Sequence, residues 1–380
     1  MARQAVKGTD RPRAQWYWNS SYDPWSTSGK EEWTKYSDIQ SEIIEEAFNG
    51  KSKTELAELD NYWINLKDSV QISKSDQNKQ RPIQRVLIKR NENEGLREQR
   101  FFLPHPLKPF NHNHRSNAYT FLSLWKKGKQ LSNAEIVEQA AVGIILEGKQ
   151  LDEHRESQWI AEKLTAVKNK NRQEIYNCCI MLYTMECFLY KLINKALREN
   201  DRSKEKTLGP FCYILFRSWF LDANNYRQQL YRGVNTDENM VKSYNEATGE
   251  TRCWDSFTST SKSRKKAESF GNTLFTIDAT NNTGIDIAPS SRYPDEEEVL
   301  LPPGTVFQII KVKPAPETGK TYIDLKLKHD TDDDDDDTDG HPSPAASSLI
   351  VFLWSFCSLW LRCGVERIVR GGEAEDLLER

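Results

Sequence analysis

The sequence predicts an α+β protein with two folded parts, and three observations carry that prediction. A tryptophan-rich first segment alternates short β-prone runs around one amphipathic helix. The middle of the chain repeats apolar residues every three or four positions, which is helix spacing. The last third carries strand-like runs with too few helices between them for a parallel doubly wound sheet. The expected layout is a small half-barrel of strands plus a helix over 10–91 and a linker over 92–115. A larger domain over 116–328 combines a helical lobe with a mixed β-sandwich around a cleft, and 329–380 is an acidic tail with a short hydrophobic patch.

In the first segment Trp16, Trp18, Trp25, Trp33 and Trp63 lie close together, well above ordinary tryptophan usage. Strands are expected at 15–19, 32–36, 54–59, 62–66 and 81–89. A helix over 38–48 is ended by Asn49-Gly50, with Ile39, Ile43, Ile44 and Ala47 on the side that packs on the strands. Residues 91–115, with Pro104, Pro106 and Pro109 among charged residues and histidines, lack apolar periodicity and read as the linker. Its histidines have no partner spaced for a metal.

From residue 116 helices are expected at 118–127, 132–146, 153–169, 173–199 and 208–223. The fourth carries Tyr176, Ile180, Tyr183, Cys187, Tyr190 and Asn194 at helical spacing. Strands follow at 229–234, 254–259, 273–279, 284–288, 298–312 with a break at Pro302-Pro303-Gly304, and 321–328. A helix over 263–270 is closed by Gly271. The run Asp332–Asp337 repels itself and reads as disordered.

Three marks in the strand-rich part carry chemistry. Arg232-Gly233 sits in a short apolar strand, Ser259 in the Ser259-Thr260-Ser261 triplet, and Glu296-Glu297-Glu298 at the head of another strand. Cleaving a glycosidic bond builds positive charge on the sugar, so a carboxylate such as Glu298 stabilises the transition state more than the ground state. The planar guanidinium of Arg232 suits a diphosphate, and Gly233 lets a ligand approach the backbone closely. Ser259 can fix a carboxylate rotamer, and if the strand has begun at Glu296, period two puts Glu296 and Glu298 on one face. Taken singly, each mark reads as a solvated surface charge; their combination is what points to a site.

At these residues the chain resembles the arginine-specific mono-ADP-ribosyltransferases with an R-S-E-x-E signature. Arg232, Ser259 and Glu296-Glu297-Glu298 match in order, and Phe257 and Val299-Leu300-Leu301-Pro302-Pro303-Gly304 also look like the family. The resemblance implies NAD as donor substrate, no metal, and a protein arginine as acceptor. It implies that Glu298 stabilises the cationic ribose, Glu296 receives the guanidinium, Arg232 holds the phosphates and the Gly233 backbone meets the nicotinamide. The turn over 289–295 would read the acceptor, with Tyr293 a candidate contact.

The first segment resembles a WWE domain. Trp16 or Trp18, Trp33 and Glu45 fit the naming positions, and Tyr62-Trp63-Ile64-Asn65-Leu66 with Val70-Gln71 fits a later stretch, although Asn65 replaces the usual aspartate. The resemblance implies binding of the poly(ADP-ribose) repeat through Tyr36, Tyr62, Gln71 and Arg81.

Composition bounds the rest. A charged fraction of 29% with 37% hydrophobic residues fits a soluble protein, and the net charge of −3 includes the acidic run, so nothing calls for direct contact with nucleic acid. The seven cysteines show neither a disulfide framework nor a metal spacing, and read as reduced. Residues 1–10 lack an apolar core behind their basic residues, and the apolar run 349–361 is shorter than the roughly 18 to 20 residues a spanning helix needs. Both argue against secretion or a membrane anchor and for a cytoplasmic or nuclear protein. Rival functions are an NAD glycohydrolase, against which stands the complete Glu-x-Glu, and an inactive ADP-ribose-binding adaptor, against which stand the intact Arg232, Ser259 and Glu298.

Overall fold

Six strands of the first segment pair antiparallel: the last four follow one another across short turns, and the first pairs with both the second and the sixth. They are β1 (Arg13–Asn19), β2 (Trp33–Lys35), β3 (Leu56–Glu58), β4 (Tyr62–Asn65), β5 (Val70–Ser73) and β6 (Gln80–Ile88). In the computed structural model, which describes residues 13–26, 31–50, 56–88, 110, 117–220, 225–280 and 284–328, they form one open sheet in the order β2-β1-β6-β5-β4-β3. The expected linker, apart from Phe110, and the expected tail lie outside the described residues. Helix α1 (Asp38–Asn49) crosses this sheet and opens with a capping box in which Ser37 and Gln40 satisfy each other's backbone N–H groups. Glu45 ties it to the strands: its carboxylate accepts from the Trp16 indole at 3.0 Å and takes a two-pronged grip from Arg85 at 2.8 and 2.6 Å.

The apolar residues of α1 do not all serve the sheet, as periodicity suggested. Ile44 is buried with Trp16, Tyr36, Leu59 and Ile64, whereas Ile39 is buried in a different core formed by the helices that follow, and Ile43 touches both.

Those helices are α2 (Asn117–Lys126), α3 (Asn133–Gln150), α4 (His154–Val167), α5 (Arg172–Thr184), α6 (Phe188–Glu199) and α7 (Glu205–Arg217). Gly143 allows α3 to lie directly on α7, since a Cβ there would fall 1.9 Å from the Thr207 carbonyl oxygen. The single helix expected over 173–199 is two helices. Met185 and Cys187 are extended between them. The break has a partner: the Glu186 N–H donates to Asp38 at 2.7 Å and its carbonyl accepts from the Asp38 N–H at 3.3 Å.

The remaining strands are β7 (Asn225–Tyr226), β8 (Gln229–Val234), β9 (Thr251–Trp254), β10 (Thr258–Ser261), β11 (Thr273–Asp278), β12 (Gly284–Asp286), β13 (Glu298–Leu301), β14 (Thr305–Ala315) and β15 (Lys320–Leu327). They run in the order β7-β12-β13-β10-β8-β11-β15-β14-β9, with β11 and β15 parallel in an otherwise antiparallel sheet. The run expected as one strand over 254–259 is the end of β9 and the start of β10, which lie far apart in that order. Between them Phe257 turns into the helical core and stacks on Trp219 at 5.8 Å. Helices α8 (Glu238–Glu246) and α9 (Arg264–Glu268) flank the sheet; α8 has no counterpart in the sequence reading. Phe110 is buried edge-on against Tyr244 of α8 at 4.9 Å. No helix among the described residues is long and apolar enough to cross a membrane, and the run 349–361 lies outside them.

The first sheet and the helical lobe meet through buried acids. Burial alone would raise the Asp38 carboxyl, but Lys35, Arg292, Arg13 and the Glu186 N–H together hold it below the usual range. Glu156 on α4 accepts from the Ser37 hydroxyl at 2.7 Å. Burial pushes it up to about 8, and the charges of Glu153, Asp60 and Asp38 act the same way against the Ser37 bond. Around them Glu46 pairs with Lys163 at 2.6 Å and Glu58 with Arg155.

The sign of the resulting pH dependence follows from proton binding. Folded Glu156 keeps its proton above the ordinary value of 4.5, so folding gains nothing or loses nothing from it at low pH and is progressively opposed as pH rises to about 8. Relative to wild type, Glu156→Gln should therefore gain stability between pH 5 and pH 8.5, by on the order of a few kcal/mol. Urea unfolding of both proteins at the two pH values checks this; a constant difference would show that Glu156 is ionised throughout.

Candidate active site

Strands β8, β10 and β13 lie next to one another in the sheet and carry Arg232, Ser259 and Glu298 in that order. Ser261 stands opposite Glu298 on one side and Tyr231 on the other. Directly opposed residues of antiparallel strands project to one face, and so do residues two apart, so Ser259, Ser261, Glu298 and Tyr231 share a face of the sheet, whereas Arg232 alternates to the other face, opposite Phe275. Glu298 is 0% exposed, Ser259 5% and Arg232 6%. The Arg232 guanidinium donates from Nη1 to the Ser259 carbonyl at 2.6 Å, locking β8 to β10 beside the carboxylate. Burial pushes Arg232 down to about 10; Tyr244, Tyr183 and Glu298 act against that shift and Arg198 with it. It therefore remains a cation at neutral pH, in a dry setting where its field is strong.

Glu296 is placed differently from its expected position. The strand begins only at Glu298, Glu296 closes a 3-10 turn (Pro294–Glu296), and Glu297 is left-handed at φ 50°. Period two does not apply across a left-handed residue, so sheet alternation does not put Glu296 and Glu298 on one face. The turn is instead fixed by its backbone: Ser261 Oγ donates to the Glu296 carbonyl at 2.8 Å and the Lys262 N–H to the Glu297 carbonyl at 3.1 Å. The Glu297 side chain pairs with Lys266 at 2.7 Å. Three consecutive glutamates thus have three fates, and the serine of the triplet seen holding the turn is Ser261.

Two further residues are tied to their neighbours. At Gly233 the structure adds a packing reason for the bare residue: the space a Cβ would take is filled by the chain itself, with the Ala267 carbonyl oxygen 1.8 Å away and the Phe270 Cβ 3.0 Å away. Its bareness lets β8 lie against α9. Tyr293, expected to face an acceptor, gives its hydroxyl to Asp38 of the first module at 2.6 and 2.7 Å. The sequence reading missed the surroundings of Arg232. Tyr183 stands on α5 at the helical spacing the sequence predicts, and Tyr244 lies on α8, which the sequence does not predict.

In the first module Trp16, not Trp18, is the buried tryptophan bonded to Glu45. Of the residues expected to bind ligand there, Tyr36 is buried and its hydroxyl donates to Gln71 at 2.7 Å. Gln71 stands opposite Arg81 across β5 and β6. Arg81 donates to the carbonyls of Asn19 at 2.9 Å and Ser21 at 2.7 Å and lies 5.6 Å from the Trp18 ring centre. Tyr62 is exposed and close enough to Tyr36 to influence its ionisation. No group of three or more metal-ligating side chains occurs among the described residues.

The family described as NAD:arginine ADP-ribosyltransferase matches residues 126–333, and the WWE domain matches residues 14–85. A Mycobacterium avium (strain 104) protein named as an NAD(+)--arginine ADP-ribosyltransferase is 37% identical over 141 residues, which are 36% of this chain and 16% of that protein. The erythroblast NAD(P)(+)--arginine ADP-ribosyltransferase of Gallus gallus is 28% identical over 156 residues, covering 39% of this chain and 49% of its own. The chain thus spans about half the length, or less, of these curated relatives. Among solved structures, the type III effector XopAI of Xanthomonas axonopodis pv. citri aligns with a TM-score of 0.42 at 17% identity, over 56% of this chain and 96% of that chain.

The packing at Gly233 yields a direct test. Gly233→Ala drives a methyl group into a backbone carbonyl that cannot rotate away, so it should destabilise the protein by about 1 to 3 kcal/mol. Denaturant midpoints measure it, and an unchanged midpoint would show that α9 is free to retreat.

Proposed function

Since the chain belongs to the NAD:arginine ADP-ribosyltransferase family, we propose that it transfers ADP-ribose from NAD to arginine side chains of proteins and releases nicotinamide. The observation that carries the proposal is the fully buried Glu298 carboxylate, on a strand adjacent to the one that Arg232 locks in place. Nicotinamide leaves with the electrons of its bond to the ribose, and a cation develops on the sugar. A fixed carboxylate in a dry site opposes that charge without reorganising, which lowers the barrier more than it strengthens binding. Arg232, held charged and rigid, supplies the phosphate-gripping cation, and the Ser259-to-Ser261 strand sets its distance from Glu298. A nitrogen of the acceptor guanidinium then attacks the ribose carbon and gives up a proton. Glu296, on the turn outside the strand, is the group suited to orient that acceptor.

The first module adds a second function, reading the repeat unit of poly(ADP-ribose). Its support is the linked set Tyr36, Gln71 and Arg81 with the exposed ring of Tyr62 beside it. An aromatic wall and a cation suit adenine and phosphate respectively.

Incubation of the full chain with labelled NAD and an arginine analogue, followed by mass analysis, tests the transfer directly. Glu298→Gln should lower the rate at least about a hundredfold, the consequence of losing roughly 3 kcal/mol of transition-state stabilisation. The KM for NAD should stay within about tenfold. Glu296→Gln should abolish transfer while slow NAD hydrolysis survives; equal loss of both reactions would refute the division of labour. Near-normal turnover in Glu298→Gln would remove the central assignment.

The reading module is tested at Tyr62, because Arg81 also holds two backbone carbonyls and its loss would disturb the fold. Tyr62→Ala should weaken binding of the repeat unit by the full chain by about 1 to 3 kcal/mol, the worth of one base stacked on an aromatic ring. Calorimetry against monomeric ADP-ribose as control reads the change, with no accompanying shift in thermal midpoint.

A further inference from the structure

We infer that Asp38, a residue of the N-terminal module, is a positioning residue for the acceptor-reading turn of the transferase. The inference rests on the transferase reading above and adds to it a residue outside the stretch that matches the family.

The turn bearing Glu296 is held from two sides. On the sheet side Ser261 Oγ bonds the Glu296 carbonyl and Lys266 bonds both the Asp295 carbonyl and the Glu297 side chain. On the other side the grip comes from α1 and β2 of the first module. Tyr293 Oη donates to both oxygens of Asp38 at 2.6 and 2.7 Å, the Lys35 ammonium lies 3.5 Å from that hydroxyl, and the Arg13 guanidinium lies 4.8 Å from the ring centre. Arg292 pairs with Glu42 at 2.5 Å, one turn along α1 from Asp38. The 3-10 turn then hangs on Tyr293 itself, whose carbonyl accepts the Glu296 N–H at 3.1 Å. Asp38 cannot easily drift, because it is fully buried and also accepts from the Glu186 N–H. A shift of Asp38 therefore moves Tyr293, and through one hydrogen bond the backbone of Glu296.

Glu298 is insulated from this linkage. It opens strand β13, whose register is set by hydrogen bonds to β10 and β12 and not by the Asp38–Tyr293 bond. The two glutamates thus take their positions from different sources. Weakening the Asp38 anchor should loosen the acceptor step and spare the cleavage of NAD.

The full chain and its Asp38→Asn and Glu42→Gln variants decide the matter through two readouts. One is the ratio of transfer to NAD hydrolysis with agmatine as acceptor, together with the KM for each substrate. The other is deuterium uptake by the segment 288–297. Asp38→Asn should lower the ratio about five- to tenfold, since small misplacements of a positioning group are costly. It should leave the KM for NAD within about twofold and raise uptake in the segment; Glu42→Gln should act in the same direction more weakly. An unchanged ratio, unchanged uptake, or equal loss of both reactions with a raised KM for NAD overturns the inference. Wild-type protein that neither transfers nor hydrolyses would instead end the transferase reading, and this inference with it, whatever the uptake.

Discussion

The carboxylate of Asp38 imposes the constraint around which the two folded parts are arranged. A buried anion is tolerated only when its charge and lone pairs are matched, and Asp38 is matched by groups drawn from four places: Lys35 beside it, Arg13 on β1, the Glu186 N–H in the break between α5 and α6, and the Tyr293 hydroxyl. Each partner is thereby placed. The extended residues between α5 and α6 are there to present a backbone N–H, and the turn before β13 folds back far enough to offer Tyr293.

The candidate site rests on a second buried charge treated differently. Arg232 is bonded to a backbone carbonyl, and the charges of Tyr244, Tyr183 and Glu298 act against the effect of its burial, which leaves it charged yet poorly solvated. Such a cation is preorganised, because its guanidinium is already fixed by a hydrogen bond to the backbone. The cost of keeping it dry is offset by the strands it joins.

Much of this was legible in the sequence because strand alternation and the R-S-E-x-E order are local signals. Arg232, Ser259 and Glu298 fall on three neighbouring strands, as their β-prone contexts suggested. What could not be read is tertiary. The apolar spacing over 173–199 is continuous through Met185, and the break there is bonded through Glu186 to Asp38, a residue 148 positions away. Glu296 looked like a strand residue because nothing in Glu-Glu-Glu announces that the middle one is left-handed. The packing need at Gly233 was hidden because the neighbour that takes its bare face, Ala267, lies 34 positions onward in sequence. Tyr293 looked free to meet an acceptor because its partner is 255 positions away.

Helix α1 places Ile44 in the core of the first sheet and Ile39 in the core of the helical lobe. A border drawn where sequence families end therefore cuts through shared hydrophobic packing. The two parts have the ancestry of separable building blocks but the mechanics of one body. A recombination event that exchanged the first module for a relative's would have to carry over the Ile39 side of that helix as well as its Ile44 side. A substitution at Ile39 would thus be felt in a core that the rest of its own module does not share.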